Sequence, residues 1–182
     1  MNAYIEITPF DTVKYELDKE SGLLRIDRPQ QFSNLCPALY GFVPQTYCGD
    51  LIGKHCEEKA GLENIIGDGD PLDICVLSEK PIAHHHIILQ CIPIGGFRMI
   101  DNHEADDKII AVLKNDLLYG HYTDVSELPD AITKRLFHYF MTYKLNPSDQ
   151  SNRVSIADTY GREECHHILE LSRKDYEIFT RK

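Results

Sequence analysis

Three carboxylates fall within six positions at Asp68-Gly69-Asp70-Pro71-Leu72-Asp73, directly before the apolar run Ile74-Cys75-Val76-Leu77. In extended backbone Asp68 and Asp70 point to one face, and Pro71 can turn the chain so that Asp73, at a strand start, converges on them. Anions that close raise one another's pKa and cost stability, whereas hard divalent cations with oxygen ligands turn the repulsion into coordination. A solvated acidic turn is the competing explanation, because Asp, Gly and Pro are ordinary turn formers. A calcium loop starting at Asp68 is excluded. Its sixth position is Asp73 instead of Gly, its fifth is Leu72, and a strand pattern stands where an exiting helix is required.

A second acidic group, Asp101-Asn102-His103-Glu104-Ala105-Asp106-Asp107-Lys108, lies between Gly95–Ile100 and the apolar run Ile109–Leu113. Placed at strand edges, Asp101 and Asp106 can meet Asp68, Asp70 and Asp73, a carboxylate surplus suited to two or more Mg²⁺ ions. The alternative is a charged hairpin loop. Such a metal centre calls for an anionic substrate, for which Lys14, Arg28, Lys108 and Lys144 offer cations and Tyr40 and Tyr143 phenolic donors. Taken singly, each of those cations also reads as ordinary surface. Softer metal sites are not supported. Cys48, His55 and Cys56 lack a Cys-x₂-Cys pair, His84-His85-His86 reads as a polar turn, and Cys165-His166-His167 sits on a helix whose adjacent residues face different ways.

The elements that must position these groups are mostly short strands. Tyr4–Thr8 and Val13–Leu17 flank Pro9-Phe10-Asp11-Thr12, which predicts an antiparallel hairpin; Glu20-Ser21-Gly22 turns the chain into Leu23–Asp27. Further strands are expected at Asp73–Leu77, His86–Ile94, Gly96–Ile100, Lys108–Leu113 and Arg153–Ala157, enough for a barrel or sandwich. Apolar residues at helical spacing predict a helix from Leu128-Pro129-Asp130 to near Asn146-Pro147 and another from about Arg162 to Arg181. The class is α+β. The polar stretch from about 48 to 67 breaks strand periodicity and reads as a surface insertion in a single domain spanning 1–182.

The chain has 182 residues with 29 acidic and 19 basic side chains, a formal charge of −10, which opposes broad nucleic-acid or anionic-membrane binding. With 42% hydrophobic residues it can bury a real core. Apolar runs fall far short of the roughly 20 residues that span a bilayer. Without a secretory start at Met1–Glu6, a cytoplasmic location is the default expectation, and the six cysteines are expected as free, buried thiols.

Asp68-Gly-Asp70-Pro-Leu-Asp73-Ile-Cys-Val resembles the signature of soluble family I inorganic pyrophosphatases, in particular the chlamydial-type branch. Val13-Lys14-Tyr15-Glu16-Leu17-Asp18-Lys19-Glu20-Ser21-Gly22, Asp27-Arg28-Pro29, Tyr40-Gly41-Phe42, Asp101 with Asp106-Asp107-Lys108, and His138–Lys144 extend the likeness over nearly the whole chain. The resemblance implies a five-stranded OB-like β-barrel with flanking C-terminal helices and Mg²⁺-dependent hydrolysis of pyrophosphate to two orthophosphates. It implies Asp68, Asp73 and Asp106 as ligands of one metal, with Asp73 bridging to a second. Asp101 with Asp106 would hold metal arriving with substrate, and Glu6 and Glu16 match further metal positions. Asp70 matches the general base; Lys14, Arg28, Tyr40, Lys108, Tyr143 and Lys144 match phosphate ligands. A homo-oligomer, a hexamer, is also implied. Two positions depart from the compact bacterial pattern: Cys36 stands where a Tyr is usual and Asn102 where an acid is usual.

Overall fold

Five strands whose sequences alternate or run wholly apolar close on one another as a barrel. The computed structural model describes residues 1–18, 20–145 and 154–181. The strands in chain order are β1 (Asn2–Ile7), β2 (Val13–Leu17), β3 (Leu24–Pro29), β4 (Leu39–Phe42), β5 (Ile66–Gly67), β6 (Asp73–Leu77), β7 (Ile87–Asp101), β8 (Glu104–Ala105), β9 (Lys108–Leu113) and β10 (Val154–Gly161). The helices are α1 (Asp50–Ala60), α2 (Asp130–Thr142) and α3 (Arg162–Thr180). The barrel order is β1-β4-β6-β9-β7, and β7 pairs back onto β1. Every neighbour in that ring is antiparallel except β6 and β9, which run parallel. This is the expected OB-like α+β architecture.

β6 and β9 are apolar at successive positions because both their faces are covered. Ile74, Val76, Ile109 and Ala111 join Ile52, Cys56, Ile168 and Leu169 of α1 and α3. Cys75, Leu77, Ile110 and Val112 join Leu136 and Phe140 of α2. All six cysteines are buried and free, as expected.

Three expectations need correction. Tyr4–Thr8 and Val13–Leu17 do not form a hairpin: the turn at Thr8–Asp11 is present, but both edges of β1 are taken by β4 and β7. The fully buried Ile5 and Ile7 commit β1 to the barrel, leaving β2 to pair with β3 as a separate two-stranded sheet. His86–Ile94 and Gly96–Ile100 are one strand, β7, whose register shifts between Pro93 and Gly95. Gly95 and Gly96 serve close packing there, since an added Cβ would stand 2.5 Å from the Tyr160 carbonyl oxygen or hydroxyl respectively. The 48–67 stretch is not merely surface. Its helix α1 buries Ile52 and Cys56 against the barrel, and its N-terminal amides at Gly49, Leu51 and Ile52 are held by the Asp175 carboxylate of α3. The 162–181 helix is α3 with its end at Thr180, and Lys108–Leu113 and Asp73–Leu77 are strands over the expected residues. The expected helix end at Asn146-Pro147 and the strand residue Arg153 lie outside the described residues, as does Lys19.

Candidate active site

The parallel pairing of β6 with β9 sets Asp73 directly beside Lys108. Antiparallel pairing of β4 with β6 puts Phe42 opposite Asp73, with Tyr40 two residues along on the same face. Tyr40 Oη donates to Asp73 Oδ2 at 2.5 Å, and Lys108 Nζ donates to that same oxygen at 2.5 Å and to Asp106 Oδ1. Lys108 is 1% exposed, so the barrel wall carries a buried ammonium clasped by two carboxylates. Burial disfavours its charge, but Asp106 and Asp73 outweigh that and hold its pKa well above the usual lysine value.

Asp68 and Asp70 lie on the loop entering β6, but not in extended backbone as expected. Gly69 between them has φ +77°, a conformation that glycine adopts without a Cβ penalty, and the turn lets Asp68 Oδ1 accept from the Asp70 amide at 2.9 Å. The loop is pinned by Cys48, whose amide donates to the Asp70 carbonyl at 2.8 Å. Burial and the nearby Asp106 push the Asp68 carboxyl up to about 8. Burial likewise raises Asp106. Asp101 ends β7, and Lys144 just past the α2 C-terminus donates to it and stands 3.7 Å from Asp106. A lysine suits that helix end, where the dipole favours cations. Tyr143, 7% exposed, lies under the Lys144 ammonium.

Glu6 enters through a β-bulge. The β1–β4 register slips between Ile5 and Ile7, so Glu6 is the extra residue and its neighbours point into different core clusters. Glu6 Oε1 accepts from the Leu17 amide at 2.6 Å, which ties β2 to the barrel. Burial pushes the Glu6 carboxyl up to about 7 despite that bond. The β2–β3 hairpin supplies the opposite wall: Lys14 donates to Glu16 and stands 3.3 Å from Asp27, while Arg28 donates to Asp27.

These groups surround a cleft of about 570 Å³. Glu6, Lys14, Glu16, Arg28, Tyr40, Asp68, Asp70, Asp73, Asp101, Asp106, Lys108, Tyr143 and Lys144 all line it, so the structure brings every proposed site residue together. Carboxylates outnumber basic side chains around it, and several are held above their ordinary pKa by burial. That surplus of hard oxygen donors fits divalent cations. Among the described residues no three carboxylates enclose an ion by themselves; Lys108 and Lys144 stand between them.

The sequence profile described as inorganic pyrophosphatase matches residues 3–177. The chain belongs to the inorganic pyrophosphatase family. It is 53% identical over 177 residues to the inorganic pyrophosphatase of Chlamydia trachomatis, covering 95% of this chain and 85% of that protein. Its fold matches the Helicobacter pylori inorganic pyrophosphatase structure with TM-score 0.79 at 29% identity, covering 97% of this chain and 93% of that one. The Thermus thermophilus inorganic pyrophosphatase matches with TM-score 0.80 at 25% identity, covering 97% and 91%.

Within this pyrophosphatase fold the two departing positions have defined places. Cys36 is buried in the cluster with Cys75 and Tyr139 behind the cleft. Asn102 and His103, at φ +51° and +71°, form the two-residue turn that pairs Asp101 with Glu104. Asn tolerates that left-handed conformation better than most side chains. Sequence reasoning missed four charged cleft residues: Asp18, Glu20, Arg25 and Glu104. Asp18 and Glu20 lie within the stretch ending at Gly22 that carried the family likeness, and Arg25 lies between it and Asp27-Arg28-Pro29, so proximity was a usable signal. It also missed Asp107, which turns away from the cleft and accepts from Tyr160 Oη at 3.1 Å.

Proposed function

We propose that this chain hydrolyses pyrophosphate to two orthophosphates in the cleft between the barrel wall and the β2–β3 hairpin, with Mg²⁺ as its metal. The observation that carries the reading is the convergence of a buried carboxylate surplus with lysine, arginine and tyrosine donors in one cleft of a chain from the inorganic pyrophosphatase family. Asp68, Asp73, Asp101 and Asp106 would hold the ions, with Glu6 and Glu16 completing the outer positions. When bound, such ions neutralise substrate charge and lower the pKa of water from 15.7 towards about 7.

The protein's own groups then divide the work. Asp70, exposed at the cleft edge on the Gly69 turn, takes the proton of the attacking water. Lys108 is positioned to stabilise charge on phosphoryl oxygens because its ammonium already faces the cleft. Lys14, Arg28 and Lys144 offer further cations from the hairpin and from the end of α2, and Tyr40 and Tyr143 donate from the wall. Water and one phosphoanhydride bond are consumed, and no covalent intermediate on the protein is required.

Phosphate release from pyrophosphate, measured with Mg²⁺, with EDTA and with ATP in place of pyrophosphate, tests the reading. Fast release from pyrophosphate that needs Mg²⁺ is expected; absence of release with Mg²⁺ bound would overturn it. A cytoplasmic site of action and hexameric assembly belong to the same proposal. Exposed apolar side chains such as Phe32 and Leu117, 70% and 92% exposed, support assembly, and sedimentation as a monomer at micromolar concentration would contradict it.

A further inference from the structure

One cleft cation has no place in the substrate set above. Arg25 and Arg28 are three residues apart on β3, a spacing that sends side chains to opposite faces of a regular strand. Here the register slips: Lys14 pairs with Arg28, Tyr15 with Ile26 and Glu16 with Arg25, so Asp27 is an extra, bulged residue. The bulge returns Arg25 to the face that carries Lys14, Glu16 and Arg28, and all four line the cleft.

Arg25 differs from the other cleft cations in exposure. Lys108 is 1% exposed, Lys14 19%, Arg28 33% and Lys144 37%, whereas Arg25 is 64% exposed and stands at the mouth. Its Nη2 reaches Glu16 Oε2 at 3.2 Å. An exposed pair of this kind is weak and readily exchanged. A phosphoryl group offers the guanidinium a better partner, because its oxygens match the fork bidentately.

We infer that Arg25 is a substrate-binding residue that exchanges Glu16 for the phosphoryl group nearest the cleft mouth, releasing Glu16 Oε2 while Lys14 keeps Oε1. The inference rests on the pyrophosphate reading of this cleft. The exchange couples two events: substrate that captures Arg25 frees an oxygen donor, and by reciprocity a cation that captures Glu16 frees Arg25 for substrate.

Calorimetric binding of imidodiphosphate, the P–N–P analogue that resists hydrolysis, tests this in the intact protein with saturating Mg²⁺. The wild type, Arg25→Ala, Arg25→Lys and Arg28→Ala are compared, with a thermal melt of each to establish folding. Arg25→Ala is expected to weaken the analogue about tenfold, the scale of one lost charge-assisted contact, and Arg25→Lys to restore part of it. With pyrophosphate, KM should rise by a similar factor while kcat changes less than about twofold, since uniform binding is what is lost. Without substrate, Arg25→Ala should bind Mg²⁺ about two- to threefold more tightly, because Glu16 Oε2 has lost its cation and only Oε1 remains paired, with Lys14. Wild-type affinity of Arg25→Ala for the analogue, with Arg28→Ala weakened, would overturn the role of Arg25 and leave the pyrophosphate reading standing. Failure of the wild type to bind the analogue would overturn both.

Discussion

The two walls of the cleft hold charge in different ways. On the barrel side, Lys108 is fixed between Asp73 and Asp106 with almost no exposure, and Tyr40 completes the bonding of Asp73. On the hairpin side, Lys14, Glu16, Arg25, Asp27 and Arg28 form a chain of partly exposed pairs on a two-stranded sheet outside the barrel. The barrel wall resembles a preset template, whose geometry is enforced by the cost of leaving any buried charge unpaired. The hairpin wall is a set of exchangeable contacts, each worth little, that can re-pair around a ligand. A site built from one wall of each kind can hold ions in fixed positions and still admit and release a polyanion.

The largest effect is expected at Asp70, on the Gly69 turn at the cleft edge. Asp70→Asn should keep Mg²⁺ binding and lose about 10²- to 10⁴-fold in turnover, the range for removal of a general base. Wild-type turnover of that variant at saturating Mg²⁺ would remove Asp70 from the mechanism.

Next comes the contrast in stability. Lys108→Met leaves Asp73 and Asp106 facing each other without their cation and should cost about 3–5 kcal/mol by urea unfolding in EDTA, with Mg²⁺ restoring part of the loss. Arg28→Met on the hairpin should cost under about 1 kcal/mol, because its partner is reached by solvent. Equal costs for the two variants would erase the distinction between template and exchangeable wall.

The pH response follows from the template side. Glu6 is held at about 7, Asp68 at about 8 and Asp107 at about 7, all by burial first. Their folded-state values lie above the unfolded ones, so the folded protein binds more protons. Their stabilising contribution is full below about pH 4 and is lost as pH rises towards about 8. His55, lowered chiefly by burial, works in the opposite sense but is a single group against several raised carboxyls. Thermal melts in EDTA should therefore drop between pH 5 and 8, and the gain on adding Mg²⁺ should grow over the same range as ions replace protons. A metal-free melting temperature that climbs across this interval would show that the carboxylates are not under the stress described.

Much of this was legible in the sequence, and for an identifiable reason. Residues whose position follows from strand alternation and chain order, such as Asp73 at the start of β6 and Lys108 at the start of β9, were placed by pattern alone. What escaped were the irregularities. The bulge at Glu6 re-phases β1, the bulge at Asp27 brings Arg25 to the cleft, and the Gly69 turn replaces an extended Asp68–Asp70 segment. Each adds or redirects a single residue, which periodicity cannot register. The turn between Tyr4–Thr8 and Val13–Leu17 is local and does not pair the flanking strands, because both edges of β1 are claimed by β4 and β7.

The smallest expected effect probes how rigid the template needs to be. The turn joining β7 to β8 has two residues, Asn102 and His103, both at positive φ, the geometry for which Asn-Gly is best suited. His103 bears a Cβ penalty there of about 1–2 kcal/mol that glycine lacks, partly offset by the greater freedom glycine brings to the unfolded chain. Its carbonyl accepts from the Ile66 amide at 3.0 Å, a backbone bond that substitution leaves available. His103→Gly should therefore raise stability by about 0.5–1 kcal/mol, read as a shift of about 1–4 °C in melting temperature. Turnover should be unchanged, because Asp101 already sits at the end of β7 and is held by Lys144. If turnover fell as stability rose, the barrel wall would need the strain of this turn, and its fixed character would have to be read as a balance of opposing forces.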